Sequence, residues 1–303
     1  MSRVVLAGID GANPLGFMAA IGLLRIADMQ RSGVRLGFVD DGSYRAFLEG
    51  TDGLDPPALV AADAAAAAGP RSWWLEYEKI EKSGSKRVAD LKPPPQVFRD
   101  FVAKCLAARA HGDGEGIAYA AAFATDLAVD GKGNTKPTAF HFTAANQTFL
   151  GAVEEIRKSV TEEWATASLF AGHASRPGSN LRWDPDAERN RALMGENPVD
   201  AGTAVDAPLE WLAFRGLPMF PVVPLGSRIV TTCVEGRRQD EMSMRWPLWS
   251  EAASARTVAS LLRSRPPRSP RERALRGIFA TCTSSIRRTS QGFGNFGPAA
   301  VMA

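Results

Sequence analysis

The sequence is poor in the residues that build covalent frameworks and metal centres. It has three cysteines, Cys105, Cys233 and Cys282, far apart and without a CxxC partner. That pattern argues against a disulfide framework and points to a reducing compartment. Histidine is equally scarce. His111, His141 and His173 show no HExxH, no HxH and no paired carboxylate spacing. Neither a metal centre nor a nucleophilic centre is therefore expected. No apolar run reaches about 18 residues without a charge or a breaker, so a membrane-spanning helix is not expected. The opening residues carry one Arg and a short apolar strand before Asp10, a poor signal peptide. The expected location is the cytoplasm. Lysine, finally, is absent after residue 225.

What is present is ordinary globular material with an uneven charge. The 303 residues are 45% apolar and 23% charged, enough for one large core or two modest ones. The formal net charge of +3 hides a division. Residues 1 to 225 hold 23 basic and 28 acidic side chains, net −5. Residues 226 to 303 hold 13 arginines and five carboxylates, net +8. A single-sign field of this kind steers an anionic partner but does not determine a fold.

At the other end lies the most regular segment, GANPLGFMAAIGLLRIA at 11 to 27. Asn13 can cap a helix, and Pro14 sits where a missing N–H costs nothing. Leu15, Met18, Ala19, Gly22, Leu23 and Ile26 follow at helical spacing. Strands are expected at 4 to 7, 34 to 39 and 71 to 80, and a short helix at 43 to 49. Helices are expected at 61 to 68, 98 to 110, 116 to 123 and across most of 148 to 169. Polar loops are expected at 81 to 95 and 130 to 137. Residues 174 to 208 read as a long ordered loop packed by Trp183 and Leu193. Residues 211 to 249 read as strand-like pieces, with Pro218, Pro221 and Pro224 making the first an edge. A helix at 253 to 262 resumes at 271 to 280, and the glycine-rich end reads as a mobile tail.

These elements alternate irregularly, without Rossmann or P-loop order. The expected fold class is α+β, with a mixed or largely antiparallel sheet and packed helices. It is either a single compact unit or two closely packed lobes. The division falls at 1–175, a mostly helical α+β lobe, and 176–303, a loop-rich, strand-containing lobe ending in an Arg-rich helical segment.

Catalytic readings of the motifs are weaker than structural ones. GIDGANP is neither GxGxxG nor GxxxxGK[ST], and Asp10 would repel a phosphate in the turn. A tight structural turn is the better reading. In HFTAANQTFL, His141, Asn146 and Gln147 adjoin Phe142, Phe149 and Leu150. With Lys132, Asn134 and Lys136 upstream they form a candidate contact for a phosphate or base edge. Thr143 or Asn146 serves equally well as a helix cap. LRWDPDAERNRALMGENP mixes Arg182, Trp183, Asp184, Arg189 and Arg191. An Arg–Asp pair locking the loop is favoured there over hydrolysis by Asp184 and Asp186. Arg182 and Trp183 are candidate partner contacts.

The Arg-rich part has two sub-tracts. Arg228, Arg237, Arg238 and Arg245 accompany Trp246 and Trp249; RSRPPRSPRERALR is followed by Arg287 and Arg288. Arginine without lysine favours fixed forks that grip phosphate or carboxylate. The adjoining tryptophans serve either as base-stacking platforms or as core anchors. The candidate nucleic-acid contacts are Arg228, Arg237, Arg238, Arg245, Arg287, Arg288, Lys132, Lys136 and Gln147. Arg265 and Arg268 join Arg182 and Trp183 as candidate partner contacts. No catalytic residue, metal ligand or cofactor is assigned. A protein-docking surface remains the alternative for the same arginines.

Five segments occur in a set order: NPLGFMAAIGLLRIAD, AFHFTAANQTFL, LRWDPDAERNRALM, LAFRGLPMFPVVP and MRWPLW. Together they resemble the accessory proteins of type I-G (formerly I-U) CRISPR systems, over about residues 5 to 263. The opening helix is also similar to the start of the large subunit of those systems. The resemblance implies a non-catalytic subunit or accessory factor of an RNA-guided antiviral effector. Its implied partners are other effector subunits, with guide RNA or target DNA, and it implies no catalytic residues. A protein-only adaptor and a metal-dependent nuclease built from Asp10, Asp184 or His141 are the competing readings.

Overall fold

The computed structural model describes residues 2–69, 71–81, 84–142, 147–172, 174–187, 204–238, 241–265, 267, 269–288 and 294–303. The fold is α+β, and every strand pair among these residues is antiparallel.

The chain opens with β1 (Arg3–Asp10) and α1 (Pro14–Gln30). The Asn13 side chain accepts hydrogen bonds from the amides of Leu15 at 2.8 Å and Gly16 at 3.3 Å, satisfying two of the helix's orphan donors. Next come β2 (Arg35–Asp40), β3 (Tyr44–Glu49), α2 (Pro56–Ala66), β4 (Glu76–Glu81) and β5 (Gly84–Ala89). They are followed by α3 (Pro95–Ala110), α4 (Glu115–Phe123), β6 (Ala124–Val129), β7 (Thr135–Pro137), α5 (Phe149–Ser159) and α6 (Glu162–Thr166). Two short strands, β8 (Arg176–Pro177) and β9 (Ala204–Val205), lead to α7 (Ala207–Gly216). The last third holds β10 (Val222–Leu225), β11 (Arg228–Thr231), β12 (Val234–Glu235), β13 (Ser243–Trp249) and β14 (Ala253–Ser254). It ends with α8 (Ala255–Arg263), α9 (Pro270–Leu275), β15 (Ile278–Arg288) and β16 (Gly294–Met302).

Two four-stranded sheets frame the core, in the orders β1-β3-β2-β14 and β12-β13-β15-β16. Helix α1 joins them. Phe17 stacks on Phe38 of the first sheet at 5.9 Å and on Trp246 of the second at 5.6 Å. Two indoles fasten the seam: Trp246 donates to the Gly11 carbonyl at 2.8 Å, and Trp249 to that of Leu36 at 2.7 Å. Contacts cross residue 175 freely. Strand β14 completes the first sheet beside β2, and α1 packs along α7.

All ten residues of α7 are buried, Glu210 and Arg215 included. A buried guanidinium requires partners. Arg215 donates to Glu115 at 2.8 Å, to the Tyr119 hydroxyl at 3.0 Å and to Asp63 at 3.0 Å, and Glu115 also pairs with Arg25. One charge cluster thus fastens α1, α2, α4 and α7. The three thiols are inert: burial pushes Cys105 up to about 11 and Cys233 and Cys282 to about 12. Among the described residues no helix is long and apolar enough to cross a membrane.

Several expected elements differ. Residues 43 to 49 form β3 rather than a helix, because Ala46 and Leu48 complete the first sheet against β1 and β2. Residues 84 to 89 of the expected loop fold back as β5 on β4. Residues 211 to 216 of the strand-like range are helical, in a helix buried on every side. The helix expected at 271 to 280 stops at Leu275, where Gly277 takes a left-handed φ of +66°. Of the expected tail, residues 294 to 300 belong to β16, paired along β15, and 290 to 293 lie outside the described residues. Within 174 to 208, Trp183 is the anchor, and Leu193 lies outside the described residues.

Candidate nucleic-acid interface

The β12-β13-β15-β16 sheet has one apolar and one polar face, as alternation requires. Met244, Trp246 and Leu248 lie opposite Ser284, Cys282 and Ala280, and all six are buried. The other face carries Ser243 opposite Ser285, Arg245 opposite Thr283 and Arg287 opposite Asn295. Its described carboxylate is Glu235, which reaches Arg245 at 4.0 Å.

The segment from Ser264 to Gly277 covers part of this polar face. The Pro267 carbonyl accepts from Arg245 at 3.0 Å, and Pro267 itself is buried. Arg273 donates to the Ala303 carbonyl at 2.7 Å, and Arg276 to that of Arg265 at 2.6 Å. These two arginines therefore hold the covering segment in place. Among the described residues the buried Thr281 hydroxyl and Arg245 Nε meet no hydrogen-bond partner.

The uncovered end is different. Arg287 is exposed, and its side chain lies across β16 where Gly297 leaves room. A Cβ on Gly297 would fall 3.0 Å from the Arg287 Nε and 2.4 Å from the Ser285 hydroxyl. The turn between β12 and β13 presents exposed Arg237 and Arg238 beside this end, with Gly236 in a left-handed conformation at φ +105°. Its exit is fixed by the Ile286 amide, which donates to the Met242 carbonyl at 2.8 Å. Three guanidiniums with Ser243, Thr283, Ser285 and Asn295 make a donor-rich surface suited to phosphate oxygens. Glu241 of that turn is an exposed carboxylate, and Asp240 beside it lies outside the described residues.

The tryptophans play no part on this surface. Trp246 and Trp249 are core anchors, 0% and 3% exposed, so they offer no platform for stacking bases. The surface can grip a backbone but does not present these rings to a base.

The remaining sequence candidates separate. Arg288 is not a surface contact: it donates to the carbonyls of Ala139 at 2.9 Å and His141 at 3.4 Å and lies 5.4 Å from the Phe142 ring centre. Burial holds its guanidinium below the ordinary value of 12.5. Arg245 is likewise mostly covered by Pro267. Trp183 is 0% exposed and donates to the Phe140 carbonyl at 2.9 Å, so it cannot meet a partner. Arg182 is half-buried at a left-handed φ of +62°. Gln147 is half-buried just before α5, and Arg265 is exposed. Arg268, Arg189 and Arg191 lie outside the described residues, as do Thr143 and Asn146. Lys132, Lys136 and Arg228 sit on the β6–β7 and β10–β11 hairpins.

Asp10, Asp184 and Asp186 line one cavity beside the start of α1, whereas His141 lies outside it. The Asn13 amide donates to Asp184 at 2.9 Å and to Asp186 at 3.4 Å, tying the DPD turn to the cap of α1. Asp10 accepts from the Ala12 amide at 2.9 Å and shapes its own turn. Burial, opposed by backbone hydrogen bonds, raises Asp10 above 3.8. His141 instead pairs with Asp90 at 2.7 Å. Among the described residues no group of three His, Cys, Asp or Glu side chains is placed to hold a metal ion.

Fold and surface together define an α+β protein with an arginine-bearing patch at one end of an antiparallel sheet. No protein-family model matches the chain, and no curated protein matches it.

Proposed function

We propose that the chain is a non-catalytic subunit or accessory factor of an RNA-guided CRISPR effector, in contact with the sugar–phosphate backbone of guide RNA or target DNA. The order of the five sequence segments supports the effector context. The observation that carries the nucleic-acid contact is the cluster of exposed Arg237, Arg238 and Arg287 at the uncovered end of the polar sheet face. Forked donors beside hydroxyls suit phosphate, and the buried tryptophans leave sequence reading to the guide. Cytoplasmic residence accords with this role.

The test is a salt titration of binding to guide RNA and to duplex DNA, alone and with effector subunits present. Each phosphate contact on a duplex contributes about 0.9 to the slope of log K against log salt. Reversing Arg237, Arg238 and Arg287 to Glu should remove the binding and flatten that slope. Absence of binding by the wild-type chain in both settings would overturn the nucleic-acid part and leave the protein adaptor.

A further inference from the structure

The β10–β11 hairpin is built the wrong way round for a surface element. Its cross-strand pairs are Val222–Thr231, Val223–Val230, Pro224–Ile229 and Leu225–Arg228. Residues directly opposite in an antiparallel pair share a face. Thr231 faces inward, is 2% exposed and accepts from the Ala139 amide at 2.9 Å. The other face therefore carries Val223, Leu225, Val230 and Arg228. The three apolar side chains are 58%, 56% and 42% exposed.

A second hairpin adjoins it. Strand β6 packs against β10 and β11, and Lys136 of β7 donates to the Ser227 carbonyl at 2.8 Å. On β6, Leu127 is 70% and Val129 41% exposed, with Ala128 buried between them. Five large apolar side chains thus collect on two abutting hairpins from distant parts of the sequence. Elsewhere exposed apolar residues such as Ile80 on β4 and Leu275 at the end of α9 stand singly, which is ordinary. A clustered patch marks an interaction site.

Charge selects the occupant. Nearby carboxylates are already engaged: Asp126 pairs with Arg99 at 3.2 Å, and Asp130 accepts from the amides of Lys132 at 2.8 Å and Asn134 at 3.0 Å. Arg228, opposite Leu225, and Lys132 are both exposed and place positive charge beside the apolar side chains. A contact between two copies of this face would gather Arg228 of both copies in one interface, where like charges add a cost. A nucleic-acid backbone gains nothing from Val223, Leu225 and Val230. We propose that this face docks a partner protein through a segment that combines apolar side chains with Asp or Glu. The site is built from other residues than the Arg237–Arg238–Arg287 patch and stands independently of the nucleic-acid reading.

The test selects a display library of random linear peptides on the full chain and measures the enriched peptides by fluorescence anisotropy. Enrichment of Asp or Glu alternating with Val, Ile, Leu or Phe is expected. Leu225→Glu and Arg228→Glu should each weaken those peptides by about tenfold or more, the weight of a strong interface side chain. Both positions are exposed, and an unchanged thermal midpoint confirms that the variants fold. Guide RNA and duplex DNA binding should stay unchanged in both. Basic enriched peptides, or peptides indifferent to both substitutions, would overturn the proposal. So would a dimer in sedimentation that Leu225→Glu dissolves, or loss of nucleic-acid binding in that variant.

Discussion

Gly22 of α1 and Gly216 of α7 meet backbone to backbone. A Cβ on Gly22 would lie 1.7 Å from the Leu212 carbonyl oxygen, and one on Gly216 would lie 2.6 Å from that of Met18. The two buried helices approach as closely as they do because neither carries a side chain there.

Gly22→Ala should therefore force the helices apart and destabilise the fold. Overpacking a filled core costs about 1–3 kcal/mol, and here the obstacle is backbone rather than a movable side chain. Chemical denaturation of the variant should show a lowered midpoint. A wild-type midpoint would mean that the α1–α7 contact is looser than described.

Arg288 gives the opposite kind of prediction from its neighbour Arg287. Arg288→Ala should cost about 1.5–3 kcal/mol, because two carbonyls lose a charged donor. Its affinity for RNA or duplex DNA, measured where the variant is still folded, should match wild type. Weakened binding without weakened stability would place Arg288 on the interface after all.

His141 should make the fold acid-sensitive. Burial holds its imidazole below the ordinary value of 6.5, against the attraction of Asp90. Burial would raise Asp90, but His141 and the Leu91 amide hold it below 3.8. Both groups bind fewer protons folded than unfolded, so each makes stability rise with pH. Stability should begin to fall as pH drops below 6.5 for His141, and below 3.8 for Asp90. Glu210 has the opposite sign, since burial and Asp184 raise it well above 4.5. The comparison is therefore made with His141→Gln, which keeps a polar partner for Asp90 and removes the titration. Its decline below pH 6.5 should be shallower; equal slopes would contradict the assignment.

Legibility in the sequence followed local signals. The start of helix α1 is readable because Asn13, Pro14 and the apolar spacing agree, and the helix runs three residues past the expected tract, to Gln30. Helix α7 is not legible in the sequence because every side of it is buried, so no polar face marks a period. Strand β16 was read as a tail because its glycines suggested freedom. Gly294 is needed where Phe142 would meet a Cβ at 2.4 Å, and Gly297 where Arg287 lies over the strand.

The candidate surface was half legible. Composition identified an arginine-rich region but could not tell Arg287, exposed, from Arg288, tucked against Ala139 and His141. Strand alternation, once β15 is known, separates them at once. The tryptophans of the MRWPLW segment were ambiguous because indoles serve cores and bases equally. Their hydrogen bonds to Gly11 and Leu36 decide for the core. The apolar hairpin face depended on pairing Val223 with Val230 and on the nearness of β6, neither of which sequence spacing reveals.

The most direct measurement of the central claim is the salt dependence of duplex DNA and guide RNA binding by wild type and by the Arg237→Glu/Arg238→Glu/Arg287→Glu variant. The account predicts salt-sensitive binding by wild type that the triple reversal abolishes while the thermal midpoint holds. A folded triple variant that binds as tightly as wild type, with the same salt slope, would contradict it.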